Sequence, residues 1–103
     1  MDEITHSPPT LDDLRARRED ILRLAARYGV SNVRIVGSVA RGDATAASDV
    51  DLLVTLPPNC SVFELVGLWL DMQELLGCAV SLIPDSAADE AFLREVQKDA
   101  VPL

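Results

Sequence analysis

The chain of 103 residues has little cysteine, no long apolar run and few basic residues, and each shortage excludes a class of protein. Its two cysteines, Cys60 and Cys78, lack the spacing of metal ligands, so we expect free thiols rather than a zinc site or a disulfide framework. No run approaches the roughly 18 consecutive apolar residues that a membrane-spanning helix needs. Residues 1–6 lack the basic start and apolar stretch of a signal peptide, and the cytoplasm is therefore the expected location.

Acidic residues outnumber basic ones, with 17 Asp and Glu against 9 Lys and Arg, for a net charge of −8. A surface of this sign repels phosphate backbones, which argues against general DNA or RNA binding. It suits a basic protein partner, although solubility alone would also account for it. The hydrophobic content of 49% and the charged content of 25% are those of a globular protein, and the length suffices for one domain.

The order of predicted elements is helix, strand, short helix, strand, helix, strand, helix, which indicates an α/β fold. We expect a small mixed sheet of three to four strands flanked by helices. A single domain is predicted over residues 10–103, preceded by a flexible arm over residues 1–9.

Capping and turn residues predict where these elements begin and end. Three helices are expected to start at capping boxes, formed by Thr10 with Asp13, Ser61 with Glu64, and Ser86 with Asp89. Gly29 and Gly77 are expected to close the first and third helices. Three apolar segments are expected as strands, at residues 30–36, 49–55 and 78–83. A short helix is predicted at residues 39–42, and a tail at residues 101–103.

The helix over residues 61–76 is apolar around almost its whole circumference. Its polar side chains are limited to one stripe, formed by Glu64, Asp71, Gln73 and Glu74. One thin sheet cannot cover every face of such a helix in so small a domain, so we expect part of it to contact another chain. Deep burial in the core is the alternative explanation.

Two short motifs, Gly37-Ser38 and Asp49-Val50-Asp51, stand ten residues apart between predicted strands. Side chains alternate along a strand, so Asp49 and Asp51 point to the same side. Two carboxylates about 6–7 Å apart along the backbone can converge on one Mg²⁺ that also holds the phosphates of a nucleotide. A turn of small residues such as Gly37-Ser38 lets the backbone approach a phosphate.

Asp49 and Asp51 could instead form a polar edge that faces water. The apolar residues 52–54 that follow them indicate a buried central strand, where an unpaired pair of acids would be costly. A functional site is therefore the favoured interpretation.

These residues resemble the signature of the DNA polymerase β-like nucleotidyltransferases. The fuller strings, Gly-Ser-x-Ala-Arg-Gly at residues 37–42 and Ser-Asp-x-Asp-Leu-x-Val at residues 48–54, are similar to those of the smallest members, the minimal nucleotidyltransferases (MNT). The resemblance implies the nucleotidyltransferase fold, with ATP as the substrate and Mg²⁺ as the cofactor.

The resemblance also assigns roles to the motif residues. It places Gly37, Ser38 and Arg41 at the phosphates of the nucleotide. It makes Asp49 and Asp51 both the catalytic carboxylates and the metal ligands. A structural salt bridge between Arg41 and an acid, either Asp43 or Asp49, is an equally favoured alternative for the arginine. Otherwise Asp43 is expected to be a solvated charge, and Ser48 is expected to cap a turn.

Active members of the superfamily carry a third carboxylate on a later strand, which completes the metal site and helps to deprotonate the attacking hydroxyl. The resemblance aligns Ser81 with that position. A serine supplies neither a base near neutral pH nor a charge to a metal, so catalysis is expected to be weakened or absent. Asp85 follows Pro84, which should turn it away from the site.

Minimal nucleotidyltransferases are typically encoded beside a HEPN-domain protein, commonly an RNase toxin, which they neutralise as antitoxins. The resemblance therefore implies a HEPN-domain toxin as the partner, neutralised by binding and by transfer of AMP from ATP to a toxin tyrosine. A catalytically impaired homologue that acts by steric occlusion is the alternative, and Ser81 favours it. Transfer to a small molecule is less favoured, because 103 residues leave little room for a dedicated pocket.

Overall fold

The structure is a computed structural model, and it describes residues 9–45, 48–86 and 89–103. Within these ranges the chain forms five helices and four strands. In chain order they are α1 Leu11–Ala16, α2 Arg18–Arg27, β1 Ser31–Val36, α3 Gly37–Arg41, β2 Val50–Thr55, α4 Val62–Leu76, β3 Val80–Pro84, α5 Glu90–Gln97 and β4 Val101–Pro102. All but the last residue of the predicted arm lies outside the described residues, so its flexibility and the domain boundary stay predictions.

The strands form one mixed sheet in the order β3-β2-β1-β4. Strand β2 runs antiparallel to β1 and parallel to β3, with α4 in the crossover that a parallel pair requires. The predicted small mixed sheet flanked by helices is confirmed. The predicted tail is wrong, because Val101 and Pro102 form β4 and pair with β1. A two-residue strand has no periodicity to reveal it, and proline is tolerated there because β4 is an edge strand.

The core lies between one face of the sheet and helices α2 and α4. The even-numbered residues of β2 face these helices and are buried, whereas Asp51 lies on the opposite face. Helix α4 contributes Leu68 and Met72 to the core, and α2 contributes Ile21 and Leu24. Because these two helices cover one face, the other face of the sheet can carry the polar side chains of a site.

The prediction of one continuous first helix is wrong, because the chain leaves the helical conformation at Arg17. This residue has φ −105° and ψ 18°, and its Nη1 donates to the carbonyl of Leu75 at 2.6 Å. The six residues between Leu14 and Ile21 offer no large apolar side chain to the core. Tertiary packing therefore does not hold this turn in a helix, and the break lets Arg17 cap a carbonyl at the end of α4.

The predicted capping boxes at Thr10 and Ser61 are confirmed, since each hydroxyl accepts the N–H of the residue three positions on. The last helix starts later than predicted. Asp89, not Ser86, caps α5 by accepting the N–H of Phe92 at 3.0 Å. Aspartate is among the strongest N-caps, so the helix begins at the acid that directly precedes it.

Helix α4 is only partly covered by its own domain. Leu68 and Met72 are buried, but five large apolar side chains are exposed: Val62, Phe63, Val66, Trp69 and Leu70. Deep burial of the whole helix is therefore excluded. That another chain covers this side stays a prediction.

The sequence argued against a membrane-spanning helix and against a disulfide, and the structure bears on both. No helix formed by the described residues is long and apolar enough to cross a membrane. Cys60 and Cys78 are both free thiols, as predicted.

Candidate functional site

The two sequence motifs meet where β1 ends and β2 begins. Helix α3 follows β1 directly and starts at Gly37, two residues earlier than predicted, so Gly37 and Ser38 form its first turn. The antiparallel register pairs Val36 with Asp51. The turn after β1 therefore carries Gly37 against the Asp51 carboxylate.

Gly37 is required by both its backbone conformation and its surroundings. Its φ is +72°, in the left-handed region that residues with a side chain rarely adopt. A Cβ atom built on Gly37 would overlap Oδ2 of Asp51 and lie 3.3 Å from its Cγ. The sequence pattern assigned this glycine to a phosphate; the structure adds that it leaves room for a carboxylate.

Asp49 and Asp51 differ in their environments. Asp51 is half-buried, whereas Asp49, which precedes β2, is exposed. Burial raises the pKa of the Asp51 carboxyl above its usual value, and the negative charge of Asp49 raises it further. A hydrogen bond with Ser81 and the charge of Arg41 act in the opposite direction but are weaker. A half-buried carboxylate that is repelled by an exposed one forms a site that a cation would stabilise.

Arg41, at the end of α3, is held by two carboxylates. Its Nη1 lies 3.0 Å from Oδ2 of Asp99, and its Nε lies 3.2 Å from Oδ2 of Asp43. Both pairs raise the pKa of the guanidinium, the bond with Asp99 most strongly. The expected pairing with Asp43 is thus present, and Asp43 is exposed, as expected of a solvated charge.

Ser81 and Asp85, the two residues considered for a third carboxylate, lie in different places. The parallel register pairs Ser81 with Asp51, so the two side chains lie on the same face of the sheet. An acid in place of Ser81 would therefore face Asp51. Asp85 is turned away, as predicted: it accepts from Nη2 of Arg34 at 2.9 Å and from the hydroxyl of Thr55 at the far end of β2.

Sequence reasoning misses two neighbours of the site. Asp99 stands 58 positions from Arg41, and no local pattern links them. Cys78 lies close enough to Asp49 for that charge to raise the pKa of its thiol, although burial is the larger cause. The prediction that Ser48 caps a turn is confirmed, since its hydroxyl accepts the backbone N–H of Thr45 at 2.8 Å.

The donor set fits a divalent cation that is shared with phosphate. Within the described ranges no three His, Cys, Asp or Glu side chains come together as a protein-only metal cage. Mg²⁺ is commonly held by one or two carboxylates, while phosphate oxygens and water complete its shell. Asp49 and Asp51 could hold the ion in this way, and its charge would relieve the repulsion that raises the pKa of Asp51.

Comparisons with known proteins agree with this geometry. A family model described as a nucleotidyltransferase domain matches residues 17–103. The chain is 32% identical to the protein adenylyltransferase MntA of Thermococcus cleftensis, over 76% of this chain and 79% of that protein. It is also 32% identical to the "Putative protein adenylyltransferase MJ0128" of Methanocaldococcus jannaschii, over 81% of this chain and 91% of that protein.

Similarity extends to a solved structure. It is named "Structure of putative minimal nucleotidyltransferase", and it matches with a TM-score of 0.81 and 39% identity. The match covers 92% of this chain and 97% of the other. The chain therefore belongs to the nucleotidyltransferase-domain family, among its minimal nucleotidyltransferases.

Proposed function

We propose that the chain is a cytoplasmic antitoxin that uses Mg²⁺ to transfer AMP from ATP to a tyrosine of a HEPN-domain RNase toxin. The observation that carries this proposal is the Asp51 carboxylate packed against the turn at Gly37, with the charge of Asp49 near enough to raise the pKa of Asp51 after burial has done so. Transfer from a triphosphate needs positive charge at the reacting phosphates, and paired carboxylates can hold the cation that supplies it. The names of the relatives from the two archaea, both protein adenylyltransferases, support the same reaction class.

In the proposed reaction, the tyrosine oxygen attacks the α-phosphorus of ATP. The new phosphorus–oxygen bond forms as the bond to the β-phosphate oxygen breaks, pyrophosphate leaves, and the hydroxyl proton passes to water. Bound Mg²⁺ would offset the charge of the triphosphate and of the leaving pyrophosphate. Asp49 and Asp51 hold the ion, and Gly37 and Ser38 lie against the phosphates. Arg41 would donate to a phosphate oxygen.

The modification would inactivate an RNase by charge as well as by bulk. A tyrosine that carries AMP places a negative phosphodiester and a nucleoside at the toxin surface, and this group repels the backbone of RNA. The net charge of −8 on the antitoxin suits a toxin that must be basic to bind RNA.

The proposal is tested by incubating the chain with the HEPN-domain protein, ATP and Mg²⁺, and measuring the intact mass of both proteins. The toxin is expected to gain mass in whole adenylyl units, and peptide mapping should place them on tyrosine. Asp49→Ala with Asp51→Ala is expected to abolish the gain. A toxin mass that stays unchanged with Mg²⁺, Mn²⁺ and Co²⁺ would contradict the enzymatic half of the proposal.

Ser81 favours a second candidate function, neutralisation by binding alone. Its hydroxyl faces Asp51 where an acid would serve as a base, and loss of a positioned general base typically costs about 10²–10⁴-fold in rate. Under this alternative, Asp49→Ala with Asp51→Ala still protects cells that express the toxin. Ser81→Asp separates the two: a faster transfer rate supports an enzyme that the serine weakens, whereas no transfer by either form supports steric occlusion.

A further inference from the structure

The proposed chemistry does not use the solvent-facing side of α4. Five large apolar side chains project from it, and together we call them the α4 face: Val62, Phe63, Val66, Trp69 and Leu70. Phe63 is 89% exposed and Val62 is 73% exposed. Scattered apolar residues are ordinary on a protein surface, but a contiguous patch on one helix marks an interaction site.

The α4 face continues into a groove at the edge of the sheet. The groove has a volume of about 260 Å³, and its walls are Leu65, Val66, Trp69 and Leu82. Leu82 belongs to β3, one of the two edge strands of the described sheet, and its neighbour Ser81 pairs with Asp51. Since side chains alternate along β3, this groove and the carboxylate site lie on opposite faces of the sheet, and a partner in the groove reaches the site around the edge of β3.

The edge of β3 is poorly suited to accept a strand from a partner. Trp69 Nε1 donates to the carbonyl of Val80 at 2.6 Å, and the N–H of Val80 donates to Oε1 of Gln73 at 3.1 Å. Pro84, at the other end of β3, has no N–H to donate. These features protect the edge, so packing of side chains onto the α4 face is the binding mode that remains.

Charge near the α4 face restricts the kind of partner. From Gly42 to Leu93 the chain has nine acidic residues and no lysine or arginine. All three charged residues of α4 are acidic. Two of them, Asp71 and Glu74, line a groove with Arg23 and Arg27 of α2, on the side of the helix away from the α4 face. A basic partner would be attracted by this acidic segment and by the net charge of −8.

We propose that the α4 face and its groove dock a partner protein through an apolar segment flanked by Lys and Arg. Docking also brings the acceptor hydroxyl to the edge of β3, beside Ser81 and Asp51; this part rests on the proposed AMP transfer, whereas the docking itself does not. In the proposed complex the occupant is the HEPN-domain protein, since an RNA-binding surface supplies the basic flanks.

The docking surface is tested by calorimetric titration of the HEPN-domain protein into variants of the chain. Phe63→Ser is expected to weaken the affinity about 30-fold or more, the effect of an interface hot spot. Phe92→Ser is the matched control, because Phe92 is also an exposed phenylalanine but lies on α5. It is expected to leave the affinity within about twofold. Circular dichroism should show both variants folded, because neither ring is buried.

The charge argument is tested with a second matched pair. Glu64→Gln removes a charge from the first turn of α4 but keeps the oxygen that accepts the N–H of Ser61. It is expected to slow association and to reduce its salt dependence, since a charge beside the interface steers a basic partner. Glu90→Gln makes the same change in the first turn of α5 and should leave the association rate unchanged.

Three results would overturn the docking proposal. One is equal affinity of Phe63→Ser and Phe92→Ser, and another is no binding by the unmodified chain. The third is a homodimer, detected by sedimentation, that Phe63→Ser dissociates, because a second copy would then be the occupant. Asp49→Ala with Asp51→Ala should bind the partner normally without transferring AMP. Intact docking with no transfer by the unmodified chain would therefore refute the proposed reaction alone.

Discussion

Replacement of Gly37 by alanine tests the geometry of the site, because it adds a single methyl group beside the Asp51 carboxylate. The alanine must adopt φ near +72°, which costs about 1–2 kcal/mol for a residue with a Cβ. The Cβ would also overlap Oδ2 of Asp51, so the carboxylate has to rotate away. Holding a side chain off its preferred rotamer costs a further ~0.5–1.5 kcal/mol, or the carboxylate moves out of the site altogether.

Gly77 provides the matched control for this substitution. It also has a positive φ, +70°, at the end of α4, but a Cβ built there meets nothing within 4 Å. Gly77→Ala should therefore carry the same backbone cost without any clash. A loss of about 1–2 kcal/mol corresponds to a fall in Tm of roughly 5–15 °C for a domain of this size. The Tm of Gly37→Ala is expected to fall further. This additional loss of stability should vanish when the substitution is made in an Asp51→Ala background.

The decisive readout is the stabilisation by ligand, measured by thermal unfolding with EDTA or with Mg²⁺ and a non-hydrolysable ATP analogue. A ligand at about 100 times its Kd stabilises a protein by ~2.7 kcal/mol, enough to raise Tm by at least about 10 °C. The unmodified chain and Gly77→Ala should both show this shift, and Gly37→Ala should lose most of it. An equal shift in the two alanine variants would refute the reasoning that Gly37 holds the nucleotide and metal site open.

Three further predictions follow from burial and charge. Leu68→Ala should lower the free energy of unfolding by about 2–5 kcal/mol in urea, whereas Leu70→Ala should change it by less than ~0.5 kcal/mol, because only Leu68 is buried. Equal losses would contradict the described orientation of α4. Because the pKa of Asp51 is higher in the folded chain than in the unfolded one, its ionised form destabilises the metal-free fold, and this penalty disappears as the pH falls through the folded pKa. Asp51→Asn should therefore raise Tm at pH 7 in EDTA; an unchanged or lower Tm would count against the burial of that charge. Alkylation of Cys78 at pH 8 should become faster with Mg²⁺, because a cation at Asp49 removes a charge that raises the pKa of the thiol. An alkylation rate that does not change with Mg²⁺ would indicate that the ion does not bind at Asp49.

The elements that local chemistry specifies could be predicted from the sequence. The capping boxes at Thr10 and Ser61 involve contacts over three residues, and Gly29 and Gly77 end helices with positive φ. The face of the sheet on which Asp51 lies was also predictable, because alternation along β2 fixes which of its residues face the core. Contact between Gly37 and Asp51 required only that the two motif-bearing strands be neighbours.

Features that depend on distant parts of the chain could not be predicted in this way. At the helix break, Arg17 donates to the distant carbonyl of Leu75, and Arg41 pairs with Asp99, 58 positions away. Strand β4 exists only because β1 offers it an edge, and a two-residue segment carries no pattern of its own. In each case tertiary contacts select one of several conformations that the local sequence permits.

The proposed transfer is tested most directly with ATP labelled at the α-phosphate or, in a parallel reaction, at the γ-phosphate. After incubation with the HEPN-domain protein and Mg²⁺, the α-label should remain on the denatured toxin and the γ-label should appear in pyrophosphate. Neither label should reach the toxin with Asp51→Ala. A γ-label on the toxin would mean phosphoryl transfer, and no α-label with either the unmodified chain or Ser81→Asp would contradict nucleotidyl transfer by this site.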